Sequence, residues 1–241
     1  MTEDETAGHK RVFVQRLFTS IAPRYDWFNR LASCGLDQRW RRQALALARL
    51  EPQMRLLDLC TGTGDLALLA SARLRGDGII IGMDMNPAML AYARQKRPRR
   101  QADVRWMQGD AQALPFRDGA FDRVVIGFST RNLSDLTAGL REMIRVLRPG
   151  GQLVILETGR PSNPLLRWGY QTFLLTVARA IGVVLTGRLW PFTYLARSVQ
   201  RFLSPVQMLT RLQECETQAA YVPLAGGLAS LYLATKPNGS S

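Results

Sequence analysis

The chain has 241 residues, 46% of them hydrophobic, and its 32 Lys and Arg against 19 Asp and Glu give a formal net charge of +13. That length buries one full core with additions at its ends, and the charge points to an anionic contact (nucleic acid, a lipid surface or an acidic ligand) or to an Arg-rich solvated surface. Three scattered cysteines (Cys34, Cys60, Cys215) make neither a disulfide framework nor a metal cluster, and the single histidine, His9, lies in a polar segment, so no metal is expected and a His-centred triad is excluded.

The start, MTEDETAGHK, is acidic and polar and lacks the apolar stretch of a signal peptide, so it reads as a disordered tail of a cytoplasmic protein. From Val12 to Leu31 apolar residues recur at helical spacing, broken near Pro23, and Asp37 can cap a following helix that runs through Leu50. Helices placed before an α/β core cover its ligand cleft, which would turn Tyr25, Asp26 and Asn29 toward a bound cofactor.

The core then alternates strand and helix: strand Arg55 to Leu59, helix Leu66 to Leu74, strand Ile79 to Asp84, and helix Pro87 to Lys96 with Asn86 as its cap. Strands Val104 to Gln108, Asp122 to Phe128 and Gln152 to Glu157 follow, with a helix from Leu136 to Leu147 stopped by Arg-Pro-Gly-Gly. This is a doubly wound α/β pattern. Residues 161–205 are apolar, aromatic and basic without alternation, and read as a helical insertion over the strand ends, where open α/β sheets bind ligands. Within it the run from Phe173 to Trp190 is interrupted by Arg179 and Arg188, a poor match to the roughly 20 apolar residues of a spanning helix. Gly226 and Gly227 suggest a hairpin of Thr217 to Leu224 with Leu228 to Thr235. The divisions are therefore 1–50, an N-terminal helical lid; 51–160, the core; 161–205, the insertion; and 206–241, a helix and hairpin completing the sheet.

The chemistry centres on LLDLCTGTGDLAL, residues 56–68. Asp58 ends a strand, Gly62 and Gly64 permit positive φ and close approach of a ligand, and the free N–H groups of the helix that follows can meet a polar edge. Gly62, Gly64 and Ala67 also satisfy the dinucleotide pattern GxGxxA, so a nicotinamide dehydrogenase fits the loop alone. Asp84 lies twenty residues beyond Gly64, where an acid can accept from ribose hydroxyls, and Asp110 with Ala111 after the third strand is placed for an adenine amino group. Gly127 gives room at the end of the fourth strand. Together with GDAQALPF, FDRVVIGF and RVLRPGG, this order resembles the class I S-adenosylmethionine (SAM) methyltransferases, which implies a Rossmann-like, mostly parallel sheet with SAM as the cofactor.

Longer motifs narrow the resemblance. IAPRYDWFNRLASCGLDQRWRR (21–42), GFSTRNLSD (127–135), EMIRVLRPGG (142–151), LETGRP (156–161), FTYLARSV (192–199) and GGLASLYLATKP (226–237) resemble the ubiquinone/menaquinone-biosynthesis C-methyltransferase family over nearly the whole chain. The resemblance implies SAM contacts at Thr63, Asp84, Asp110, Ala111 and Gly127, with Asp110 where many members have Asn and Gly127 where several have Ser. It implies a prenylated quinol as acceptor, demethylmenaquinol becoming menaquinol, with Arg131 beside Asn132 stabilising a phenolate and Tyr25 and Asp26 as further candidates; a salt bridge from Arg131 to Asp135 is the structural alternative. Arg167, Arg179, Arg188 and Arg197, interleaved with aromatics, would attract an anionic membrane surface. The main rival is a methyltransferase of RNA or another small molecule, encouraged by RQKRPRR (94–100), but no NPPY-like element or Pro-Cys nucleophile motif is present, so nucleic acid is not the expected partner.

Overall fold

The computed structural model describes residues 3–74, 78–96 and 104–238. Helices α1 (Glu3–Ile21), α2 (Tyr25–Ala32) and α3 (Leu36–Leu47) precede an alternation of β1 (Arg55–Leu59), α4 (Asp65–Leu74), β2 (Ile79–Asp84), α5 (Pro87–Gln95) and β3 (Val104–Gln108). Then come β4 (Phe121–Gly127), α6 (Leu136–Arg145) and β5 (Leu147–Thr158). Helices α7 (Pro164–Phe173), α8 (Arg179–Thr186), α9 (Trp190–Arg201) and α10 (Pro205–Gln213) follow, and β6 (Gln218–Leu224) and β7 (Ala229–Thr235) close the chain.

The described strands form one sheet in the order β3-β2-β1-β4-β5-β7-β6, parallel except where β7 runs antiparallel to β5 and β6. β1 is central, and Leu56, Leu57 and Leu59 are fully buried, as the near-continuous apolar run of an inner parallel strand requires. Leu57 and Leu59 face a core shared with α6 and α10 (Leu140, Met143, Met208, Leu212). Leu56 faces the opposite layer, Trp40, Ala44 and Leu45 of α3 with Leu66 and Ala70 of α4. Strand order reverses between β1 and β4, so their carboxyl ends diverge and leave a crevice.

One tryptophan ties the crevice floor to its glycines. Trp106 on β3 pairs in register with Gly82 on β2, and a Cβ there would lie 2.5 Å from its ring; a Cβ at Gly64 would lie 2.4 Å from the same ring. Gly64 also takes φ +84°, a conformation that L side chains rarely adopt.

Several elements differ from the sequence expectations. Residues 3–10 are the first turns of α1 rather than a disordered tail, and Lys10 and Arg11 tie those turns to the core. Asp37 is not a helix cap: the turn enters α3 through Gly35 at φ 77°, and the backbone N–H of Asp37 is itself capped by the Ser33 hydroxyl at 3.1 Å. α3 and α6 end at Leu47 and Arg145, earlier than expected, while β5 begins earlier, at Leu147. β4 stops at Gly127 because Phe128 turns to φ 59°. Asn163 caps α7, with Pro164 in the first turn, and a π turn at Leu174–Ala178 carries the helix unbroken into α8. Pro164–Thr186 thus forms a 23-residue helix long and apolar enough to cross a membrane by length and composition alone, in contrast to the expectation for residues 173–190. Residues 97–100 of the basic run 94–100 lie outside the described residues.

The insertion packs on the N-terminal helices instead of on the sheet. Phe192 joins Leu17 and Ile21 in a separate small core, Phe28 lies 4.5 Å from Phe192 between ring centroids, and Phe13 lies 5.1 Å from Tyr194. α8 can approach α9 only because residue 182 is glycine: a Cβ there would stand 2.3 Å from Phe192 Cγ. Gly182→Ala should therefore destabilise the protein by roughly 1–2 kcal/mol in urea unfolding, overpacking of about 1–3 kcal/mol outweighing a helix-propensity gain of about 1 kcal/mol. A stabilised variant would show that this contact yields without cost.

Candidate active site

Two buried carboxylates stand at the crevice. Asp84 Oδ2 accepts from the Gly62 N–H and Oδ1 from the Asn86 N–H, both at 2.8 Å. Asp58 Oδ2 accepts from the Thr61 hydroxyl at 2.5 Å and the Ala67 N–H at 3.0 Å, while its Oδ1 is buried without a partner. Burial pushes Asp58 up to about 7 against the opposing Thr61 and Arg41, and pushes Asp84 up to about 6 against its two N–H donors. Each carboxylate keeps acceptor capacity for a ligand's donors.

Thr63 and Asp26, singled out separately in the sequence, meet here: the Thr63 hydroxyl donates to Asp26 at 2.5 Å. Lys96, which in the sequence stands in the basic run 94–100 with no site role assigned, closes the cluster, reaching Asp26 and Asp65 at 2.6 Å and Thr63 at 3.0 Å. This fastens α2 to the glycine loop and to the end of α5.

The adenine side is covered by α1. Arg11 bonds Asp110 at 3.0 Å, Lys10 donates to the carbonyl of Leu133, and Asn86 donates to the Gln15 carbonyl at 3.0 Å. Beneath the helix are spaces of about 30 Å³, reaching Cys60, Asp110 and Ala111, and about 70 Å³, reaching Gly62, Asp84 and Met89. Both fall far below the about 300 Å³ at which small-molecule sites begin. α1 and the Arg11–Asp110 pair thus cover this side of the crevice.

Gly127 borders the other end of the crevice. A Cβ there would lie 2.7 Å from Leu66 Cδ1 and 3.4 Å from Arg41 Nη1. The space that a serine would take is filled by these side chains. The acceptors present are compatible with SAM: the Asp84 carboxylate and the unpartnered Asp58 Oδ1 can take hydroxyl and ammonium donors.

A second, larger cavity of about 390 Å³ lies between α2, α3 and the insertion, walled by Phe28, Trp40, Phe173, Leu174, Phe192 and Leu195. It reaches the surface beside Cys34 and Gly169, both exposed. Tyr25, Asn29, Asp37, Arg131 and Thr158 supply its polar points, and Tyr25 borders this cavity and the cofactor crevice alike. Asp26 is not on this wall; its carboxylate is committed to Thr63 and Lys96.

Arg131 is buried, and its partner is not Asp135. It pairs with Glu157, which is fully buried, and donates to the Phe128 carbonyl at 2.6 Å and to the Ser198 hydroxyl at 3.3 Å. Asp135 instead caps α6 by accepting from the Ala138 N–H at 2.9 Å. Glu157 was missed in the sequence because it ends an apolar strand. The residues that reveal it, Thr130, Arg131 and Thr158, come together only through the β4–β5 pairing.

Residues 4–236 match the sequence model of the ubiE/COQ5 methyltransferase family. The chain belongs to that family. A demethylmenaquinone methyltransferase of Thermus thermophilus is 41% identical, covering 92% of this chain and all of its own. A 2-phytyl-1,4-naphtoquinone methyltransferase of Thermosynechococcus vestitus is 36% identical, covering 92% of this chain and 99% of its own. In fold, the chain is similar to a SAM-dependent methyltransferase structure from Thermotoga maritima, with TM-score 0.62 and 20% identity over 92% of this chain and 99% of the other. As a member of the ubiE/COQ5 family the chain is a SAM-dependent methyltransferase.

The two raised carboxylates set a pH dependence. Because the folded-state values of about 7 and about 6 lie above the ordinary 3.8, the folded protein without cofactor holds more protons than the unfolded chain between about pH 4 and 7, and its stability falls as pH rises through that window. A cationic cofactor favours the ionised carboxylates. SAM affinity should therefore rise from pH 5 to 8 with release of protons, and Asp58→Asn should flatten the part between pH 6 and 8. Calorimetry in two buffers of different ionisation enthalpy checks this; pH-independent binding would rule it out.

Proposed function

We propose that this methyltransferase transfers the methyl group of SAM to a ring carbon of a prenylated quinol, converting demethylmenaquinol to menaquinol. The observation that carries this reading is the apolar cavity beside the cofactor crevice, sized for a bicyclic ring and open for a tail, with a buried guanidinium on its wall. The names of the relatives, demethylmenaquinone and phytyl-naphthoquinone methyltransferases, support the same acceptor class.

When bound, SAM supplies an electrophilic methyl group. The chain's own residues hold the ring beside it, exclude water with the aromatic walls, and favour loss of the phenol proton that makes the ring carbon nucleophilic. The Arg131 guanidinium cannot take that proton. Its role is the field it casts: burial raises Tyr25, Tyr170 (to about 12) and Tyr194, and the Arg131 charge opposes the rise in all three. A quinol hydroxyl in the same cavity feels the same charge, which lowers the cost of a phenolate. Among the described residues on this wall, Asp37 is the carboxylate, and it already accepts from the Ser33 hydroxyl and the Gln38 amide.

Removing Arg131 alone leaves Glu157 buried and uncompensated, a loss of about 3–5 kcal/mol. Arg131→Met combined with Glu157→Gln should recover most of that stability in urea unfolding, keep SAM affinity and still lose methyl transfer. Wild-type turnover in the double variant would remove Arg131 from the mechanism. The function itself is tested by transfer of labelled methyl to a short-chain demethylmenaquinol and, in parallel, to bulk RNA: label in the RNA and not in the quinol would reject it.

We also infer a cytoplasmic enzyme working at the inner membrane surface. Leu31, Leu165 and Trp168 are exposed, Val177 and Val184 continue along the outer face of the helix through α7 and α8, and of the four arginines expected to meet a membrane Arg188 and Arg197 are exposed, whereas Arg167 and Arg179 are half-buried. Basic side chains near an anionic surface contribute about 1 kcal/mol each, so attachment should be reversible and salt-sensitive. Co-sedimentation with anionic vesicles should exceed that with neutral ones and fall in Trp168→Ser; absence of binding to anionic vesicles would reject this placement.

A further inference from the structure

Arg41, on α3, is a buried cation that nothing so far has used. It is 6% exposed, its Nε is buried without a hydrogen-bond partner, and its ion pair with Asp37 Oδ2 is a long one, at 3.7 Å. Among the described residues its guanidinium donates no hydrogen bond; it lies over the Phe128 ring at 5.1 Å. Leaving guanidinium donors unmet in the interior is costly, and a guanidinium that only neutralised nearby acids would take short, paired bonds to them. The acids within its electrostatic reach are instead bonded by others: Asp58 by Thr61 and Ala67, Asp65 by Lys96 and Gln38, Asp37 by Ser33 and Gln38.

The location is specific. Arg41 Nη1 abuts Gly127 at the end of β4, on the side of the glycine loop away from the ribose carboxylate Asp84 and the adenine-side Asp110. On the neighbouring strand β1, Asp58 Oδ1 is an unpartnered acceptor whose carboxylate feels the Arg41 charge. One unmet donor group and one unmet acceptor, both buried and within electrostatic reach of each other, form a complement to a zwitterion. The amino-acid end of SAM is a zwitterion, with a carboxylate and an ammonium on one carbon.

We propose that Arg41 and Asp58 together hold the amino-acid end of the cofactor, the guanidinium taking its carboxylate and Asp58 its ammonium. The proposal rests on SAM as cofactor and deepens that reading. Gly127 then has a definite purpose: with no side chain there, the guanidinium reaches the crevice.

The test compares three nucleosides by calorimetry: S-adenosylhomocysteine, its analogue lacking only the carboxylate, and methylthioadenosine, which lacks the carboxylate and the ammonium. The wild-type protein should bind the first about tenfold to a hundredfold more tightly than the second. Arg41→Gln should shrink that ratio to within about threefold and leave methylthioadenosine binding nearly unchanged, while Arg41→Lys should keep part of the ratio. Asp58→Asn should erase the preference for the decarboxylated analogue over methylthioadenosine. An unchanged ratio in Arg41→Gln, or equal loss of all three ligands in a folded variant, would overturn the proposal by making Arg41 a scaffold residue. Should Arg41→Gln fail to fold, Arg41→Lys and the wild-type ratio decide, and a wild-type ratio near one overturns it. If the wild-type protein bound none of the three, the cofactor reading would fail rather than this assignment.

Discussion

The molecule depends on keeping two carboxylates, Asp58 and Asp84, buried at adjacent strand ends without a countercharge in direct contact. Backbone N–H groups of the glycine loop and of the two following helices hold them. Those N–H groups point inward only because Gly62 and Gly64 take positive φ and because Trp106 finds no Cβ at Gly64 or Gly82. The crevice therefore stores electrostatic demand, a carboxylate pushed up to about 7 and another to about 6, that a cation with hydroxyl donors relieves. Burial that destabilises the empty protein makes the site selective for its cofactor.

Around this centre the N-terminal helices and the insertion cooperate as one cap although they are far apart in sequence. Phe192, Phe28, Leu17 and Ile21 hold it together by apolar contact, and the Lys96 cluster fastens it to the glycine loop. The larger cavity is the space left between this cap and α3, which is why its walls are aromatic and its polar points few.

Much of this was legible in the sequence. Strand and helix alternation, the capping Asn86-Pro87, the hairpin at Gly226-Gly227 and the placing of Asp58, Asp84 and Gly127 at strand ends follow from local chemistry: apolar runs, turn residues and an acid at a fixed distance from a glycine loop. Helix ends near Asp37 and Leu50 did not, because Gly35 at positive φ and the Ser33 hydroxyl compete with Asp37 for the cap. Nor could the tail of α1 be read as helix, since its anchors, Asp110 and the Leu133 carbonyl, are some hundred residues away. Arg41, Lys96 and Glu157 were illegible for a related reason. A charge counts as solvated or buried only once the sheet order has decided what lies against it.

The two cavities meet at Tyr25 but open in different directions, one beneath α1 and the other beside Cys34 and Gly169. Neither ligand has to pass the other on entering or leaving. The order in which the two ligands arrive is then not imposed by the architecture.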